Sequence, residues 1–143
     1  MSPMKNDNLW LPDDELDPEL KEFTRSIRSF AHDKLAPHAR EIDEKITFRR
    51  EMVDELGEAG ILGGPLPTAV GGGGWSPMQL ALAHEELGAV CGNARGFCAV
   101  QTGLVTQTLA KNGDDAQRER GRLVRLGAHP VVEQPQRRVL RRA

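Results

Sequence analysis

Apolar side chains fall at Leu16, Leu20, Phe23, Ile27, Phe30, Ala31 and Leu35, in the steps of three, four and one that line one face of an α-helix. Apart from a brief Pro130-Val131-Val132, no segment alternates apolar and polar residues as a half-buried strand does, so the spacing predicts an all-α helical bundle. Asp17 is placed to cap the first helix and Pro18 to occupy its first position. Glu19 and Glu22 suit the positive end of the helix dipole. Pro37 ends or kinks this helix, because it lacks an N–H and crowds the preceding turn. Ala39, Ile42 and Ile46 extend an apolar face beyond the kink. A second helix fits Arg49 to Ala59, with Met52, Val53 and Leu56 inward and Gly60 as its stop. Ser76-Pro77 opens a third, with Met78, Leu80, Ala81, Leu82 and Leu87 on its apolar face and Gly88 at its end. A fourth runs from about Asn93 to Lys111, its face carrying Phe97, Val100, Leu104, Val105 and Leu109, and Gly113 stops it.

Between the second and third helices, residues 60–77 hold Gly60, Gly63, Gly64, the run Gly71 to Gly74, Pro65, Pro67 and Pro77, and read as a loop. Glycines before a helix can cradle a phosphate. Here no lysine stands where a phosphate-binding loop needs one and no strand precedes it, so a flexible connection is the better reading.

The 143 residues suffice for one domain, and with 4 Phe, 2 Trp and no Tyr the interior falls to Leu, Ile, Val, Ala and Met. No apolar run approaches the roughly 20 residues that a bilayer requires, which argues against a membrane span. Residues 1–15 read as a leader without the apolar stretch of a signal peptide, and the expected location is cytoplasmic. Cys91 and Cys98 form no metal or disulfide pattern. Charge is split unevenly: residues 1–117 carry 11 Lys and Arg against 19 Asp and Glu, whereas residues 118–143 carry 8 Arg against Glu119 and Glu133. Such a break marks a basic arm or an unrelated segment.

Candidate chemistry from the residues alone is sparse. His32, His38, His84 and His129 show no metal-binding spacing, and Ser76 and Cys98 have no argued base, so neither metal nor catalytic residues are assigned. Arg137-Arg138-Val139-Leu140-Arg141-Arg142 could meet phosphates, but no aromatic or fold motif supports nucleic-acid binding.

Several stretches nonetheless occur in a telling order. They are Arg28-Ser29-Phe30-Ala31 with Leu35-Ala36-Pro37, then Glu41-Ile42-Asp43, then Glu55-Leu56-Gly57-Glu58-Ala59-Gly60-Ile61-Leu62-Gly63. Pro67 with Gly71-Gly72-Gly73-Gly74 follows, then His84-Glu85-Glu86-Leu87-Gly88, then Gly113 with Gln117-Arg118-Glu119-Arg120. Together, over residues 16–120, they resemble the N-terminal helical domain of acyl-CoA dehydrogenases. Val70 departs from that pattern, which prefers an aromatic there. The stretch from Glu86 to Arg95 resembles a narrower branch, which acts on acyl groups tethered to a carrier protein and makes hydroxy- or methoxymalonyl units for polyketides.

The resemblance implies FAD-dependent α,β-dehydrogenation of an acyl thioester, on CoA or an acyl-carrier protein. In that chemistry a carboxylate base takes the α-proton and the flavin N5 takes the β-hydride. It also implies a homo-oligomer, and a β-domain and second helical domain that supply most flavin contacts and the catalytic Glu. FAD is therefore not expected on these 143 residues alone. By the same resemblance the fourth helix borders the acyl chain, which makes Gly96, Phe97, Val100, Gln101 and Leu104 the candidate substrate-binding residues. Residues 121–143 match nothing in the β-domain and read as a divergent basic tail, expected to be disordered. A shifted reading frame or truncated gene is favoured over a short paralogue. The competing function is a non-enzymatic helical interaction module with a basic tail.

Overall fold

Helix α1 (Pro18–Phe30) starts where Asp17 Oδ1 accepts from the Leu20 N–H at 2.9 Å. The helical path then widens into a π turn over Ala31–Leu35 before α2 (Ala36–Lys45). The wide turn lies immediately before Pro37, whose ring would crowd a regular α-helical turn and which has no N–H to give. The kink expected at Pro37 thus takes the form of an altered helical turn. The computed structural model describes residues 16–125, so the leader and residues 126–143 lie outside the described residues.

Ile46 does not extend the apolar face of α2. It caps the helix in the left-handed region (φ 51°) and is 93% exposed, because the chain turns away there to reach α3 (Glu51–Glu58). Met52, Val53, Leu56 and Gly57 of α3 are buried, and Gly60 reverses the chain at φ 73°.

The loop that follows is tied down, contrary to the expected flexible connection. Short 3-10 turns cover Ile61–Gly63 and Thr68–Val70. The N–H groups of Gly72, Gly73, Gly74 and Trp75 donate to the carbonyls of Pro67, Gly63, Leu66 and Gly64 at 2.8–3.1 Å. Glycine is required by proximity: a Cβ on Gly64 would collide with the Trp75 ring, and one on Gly72 with the Leu66 carbonyl. Trp75 in turn meets Phe23 of α1 edge-on, with centroids 4.9 Å apart.

Helix α4 (Pro77–Val90) opens with a reciprocal cap, Ser76 N–H to Gln79 Oε1 at 2.8 Å and Gln79 N–H to Ser76 Oγ at 3.2 Å. It continues past Gly88, the expected stop, to Val90, and Met78 at its start is exposed rather than inward. The core joins Ile27, Ala31 and Leu35 to Leu56 and Leu62 and to Ala83, Leu87, Ala94 and Cys98. Helix α5 (Gly92–Ala99), a second π turn (Val100–Val105) and α6 (Thr106–Asn112) form the expected fourth helix. After Gly113, α7 (Asp115–Arg125) begins with Asp114 Oδ1 accepting from the Gln117 N–H at 2.8 Å. It passes the boundary expected at Arg120, and Gly121 is buried beside Leu109. No strand occurs among the described residues.

Candidate functional site

All five candidate residues lie on the rod from Gly92 to Asn112, Gly96 and Phe97 on α5 and Val100, Gln101 and Leu104 within its π turn. A π turn makes i→i+5 bonds and so inserts an extra residue into the helical path. Around it, Val100 (52% exposed), Leu104 (66%) and Val105 (39%) face outward. Gln101 and Thr102 are turned inward and buried. Phe97 is half-buried, packs on the core and meets the Phe48 ring at 5.7 Å. Gly96 has open space where a side chain would stand. The five therefore do not converge on one cavity: Val100 and Leu104 contribute to an outer apolar face, while Gln101 is turned inward and borders a hollow that Val105 also lines.

The buried hydroxyls beside Gln101 are satisfied within the rod. Thr102 donates to the Cys98 carbonyl at 2.7 Å and Thr106 to the Thr102 carbonyl at 3.2 Å. Gln101 differs. Its amide nitrogen is buried without a partner, a state that costs about 1–3 kcal/mol. The hollow it borders encloses about 240 Å3 and is otherwise lined by Val105, Leu109, Gln117, Arg120 and Gly121. A neighbouring hollow of about 100 Å3 shares Leu109 and Gly121 and adds Val70, Thr106, Ala110 and Arg118.

Two charged pairs and one histidine were not assigned from sequence. Glu86 on α4, 2% exposed, receives both Nε and Nη2 of Arg28 on α1. Glu55 binds Arg49 in the same forked way at 2.6 and 3.1 Å; the hydrogen bond holds the Glu55 carboxyl below its ordinary range and raises the Arg49 guanidinium. His84 is half-buried with Nε2 unpartnered, and burial, helped by the charge of Arg95, lowers its pKa. The signal available for Glu86 was its register: Leu82, Ala83, Glu86 and Leu87 share the buried face of α4. No cluster of three metal-binding side chains occurs among the described residues, and none of their helices is long and apolar enough to cross a membrane.

Residues 17–121 match the family described as "Acyl-CoA dehydrogenase, N-terminal domain". The chain belongs to the acyl-CoA dehydrogenase family. A probable acyl-CoA dehydrogenase of Bacillus subtilis is 31% identical over 105 residues, covering 73% of this chain and 28% of that protein. A short-chain-specific acyl-CoA dehydrogenase of Clostridium acetobutylicum is 31% identical over 112 residues, or 75% and 30% of the two chains. Among solved structures, a glutaryl-CoA dehydrogenase of Mycobacterium smegmatis in complex with FADH2 superposes with a TM-score of 0.73 at 27% identity. That match covers 78% of this chain and 29% of the other. The chain spans about three tenths of the length of these acyl-CoA dehydrogenase relatives.

FAD is the cofactor that this family implies. The hollows beside Gln101, about 240 and 100 Å3, fall below the roughly 300–1,000 Å3 of a pocket that encloses a small organic ligand. They do not fit a flavin by themselves, and no step of the chemistry is assigned to these residues.

Proposed function

We propose that this acyl-CoA dehydrogenase N-terminal domain supplies a helical wall for FAD-dependent α,β-dehydrogenation of an acyl thioester. The observation that carries this reading is the outward apolar row Val100, Leu104 and Val105, flanked by Gly96 and Gly103, neither of which has a neighbour where its Cβ would be. A row of this kind excludes water and orients an aliphatic chain without taking or giving a proton. Of the five candidates, Gly96, Val100 and Leu104 would border the acyl group, with Phe97 half-buried and Gln101 turned inward; the absent side chains of the glycines leave room for a substituent on a short acyl chain. No catalytic residue is placed on this domain. The carrier-protein branch has weaker support, because Glu86, Leu87, Cys91 and Ala94 of the stretch that suggested it are buried in the bundle.

A domain exchange tests the proposal. Residues 16–121 replace the corresponding domain of the Mycobacterium smegmatis glutaryl-CoA dehydrogenase, and flavin content and dye reduction are measured with short acyl-CoA and acyl-carrier-protein thioesters. The expected hybrid retains flavin and oxidises a short acyl thioester, and Leu104→Trp raises its KM. A flavin-loaded hybrid that oxidises no acyl thioester would sink the reading.

A further inference from the structure

We propose that the turn between α2 and α3 is a self-association surface, where Ile46 of one copy enters a hollow on a second copy and Arg50 pairs with that copy's Asp43. Ile46 is 93% exposed, yet its φ is 51°. A β-branched side chain rarely takes the left-handed region, and such an outlier points to a role outside the fold. Within one chain nothing offsets the strain, because the side chain stands in solvent. Beside it lies a hollow of about 350 Å3, lined by Ile42, Asp43, Ile46, Thr47, Phe48 and Asn93. A cavity of about 150 Å3 already holds a benzene ring, so there is room for an isoleucine side chain. The walls are fixed: the Phe48 ring leans on Phe97 with centroids 5.7 Å apart, and Asn93 Nδ2 donates to Asp43 Oδ1 at 3.1 Å. Knob and hollow thus share one surface, as a two-fold contact requires, since each copy then gives and receives the same group.

The charges select a second copy as the occupant. Asp43 is exposed and meets no cation among the described residues. Arg50 is exposed and meets no carboxylate among them, whereas Arg40, Lys45 and Arg49 are each taken by a glutamate. The two free charges do not meet within one chain. Across two copies each guanidinium can grip the other's carboxylate with two N–H groups. Both halves of the apolar contact and both halves of the ion pair therefore belong to the same turn.

This surface is argued from its own side chains and does not rest on the dehydrogenase reading. The contact is small, so association is expected only as concentration rises. The test uses the full 143-residue chain carrying Leu104→Gln, which reduces association through the outer row of the π turn. Its mass is followed by sedimentation from about 10 µM to about 1 mM. The average mass is expected to climb from 15.7 kDa toward twice that value. Ile46→Gly, which relieves the backbone and removes the knob, is expected to stay folded at the monomer mass. Asp43→Lys and Arg50→Glu are each expected to weaken association at least tenfold, because each sets like charges against one another. Mixed in equal amounts, these two variants should associate again, since in the mixed pair both contacts join opposite charges. Recovery on mixing occurs only if position 43 of one copy meets position 50 of the other. A parent chain that stays monomeric, an Ile46→Gly chain that associates as well as its parent, or a mixture no stronger than its components overturns the surface. Ile46→Gly decides the matter even if a charge variant fails to fold.

Discussion

Arg28 on α1 and Glu86 on α4 stand 58 positions apart and meet through two hydrogen bonds, Nε to Oε2 at 2.9 Å and Nη2 to Oε1 at 2.8 Å. The carboxylate side is 2% exposed and the guanidinium side 29%, so this pair is a tertiary clamp rather than surface decoration. It joins two of the stretches that carry the resemblance to the family.

Removing one partner strands the other. Arg28→Ala is expected to lower the unfolding free energy by about 3–5 kcal/mol, because a buried carboxylate loses its counter-charge. Glu86→Leu combined with Arg28→Met should recover most of that loss. Urea unfolding of the single and double variants checks this, and additive losses would show the two side chains are not coupled.

At Ile46 a β-branched residue adopts φ 51° while 93% exposed. The left-handed region costs an L-residue roughly 1–2 kcal/mol, and no burial is lost on truncation. Ile46→Gly should stabilise the fold by about 1 kcal/mol after the extra chain entropy of glycine is set against the relief. A thermal melt with an unchanged or lower Tm would contradict this.

Burial pushes the Cys98 thiol up to about 12, and Cys91 is buried as well. Thiolate is the reactive form. The native chain should therefore react with a disulfide reagent only as fast as it opens, and urea should speed the reaction in step with unfolding. Rapid labelling without urea would be the opposite outcome.

Two partly buried groups tie stability to acid pH. Burial and then Arg95 hold His84 below its ordinary value, so its neutral form is favoured by folding. That contribution is whole above about pH 6.5 and is lost as pH falls through the lowered value. The Arg49 hydrogen bond depresses Glu55, whose contribution is whole above about pH 4.3 and is lost as pH falls through its own lowered value. Urea midpoints from pH 8 to 3 should decline in both windows; His84→Gln should flatten the upper one and Glu55→Gln the lower.

Leu104 and Phe97 should respond oppositely to polar substitution, although their spacing places both on one apolar helix face. Leu104 is 66% exposed, so Leu104→Gln should keep the stability and reduce self-association. Phe97 packs on the core and on Phe48, so Phe97→Ser should destabilise by about 2 kcal/mol or more. Sedimentation and urea unfolding of the two variants separate the effects.

What could be read from the sequence was what depends on near neighbours. Asp17, Ser76, Gly60 and Gly113 mark helix ends because a cap acts within a few residues. Ile46 and Met78 were misplaced because a helical period can be carried one turn beyond the point where the chain leaves the core. The glycine loop was misjudged because its tightness depends on where the Trp75 ring lies, and glycine alone signals only freedom. The fourth helix is legible in the spacing, but its widened turn is not, since a π turn leaves no mark in composition. The partners of Glu86 and of the Gln101 hollow lie on other helices, beyond any local pattern.

The π turn at Val100–Val105 also makes chain length itself informative. Each residue of an α-helix turns its successors by about 100°, so a deletion usually swings a helical face away from its partner. Here the surplus residue has a place to leave from. Deleting Gly103, which is exposed and has open space where a side chain would stand, would let the rod close into an ordinary helix while its outer ends keep their contacts. The fold should survive a loss of length that would break α1, and the register of Gln101 would record it.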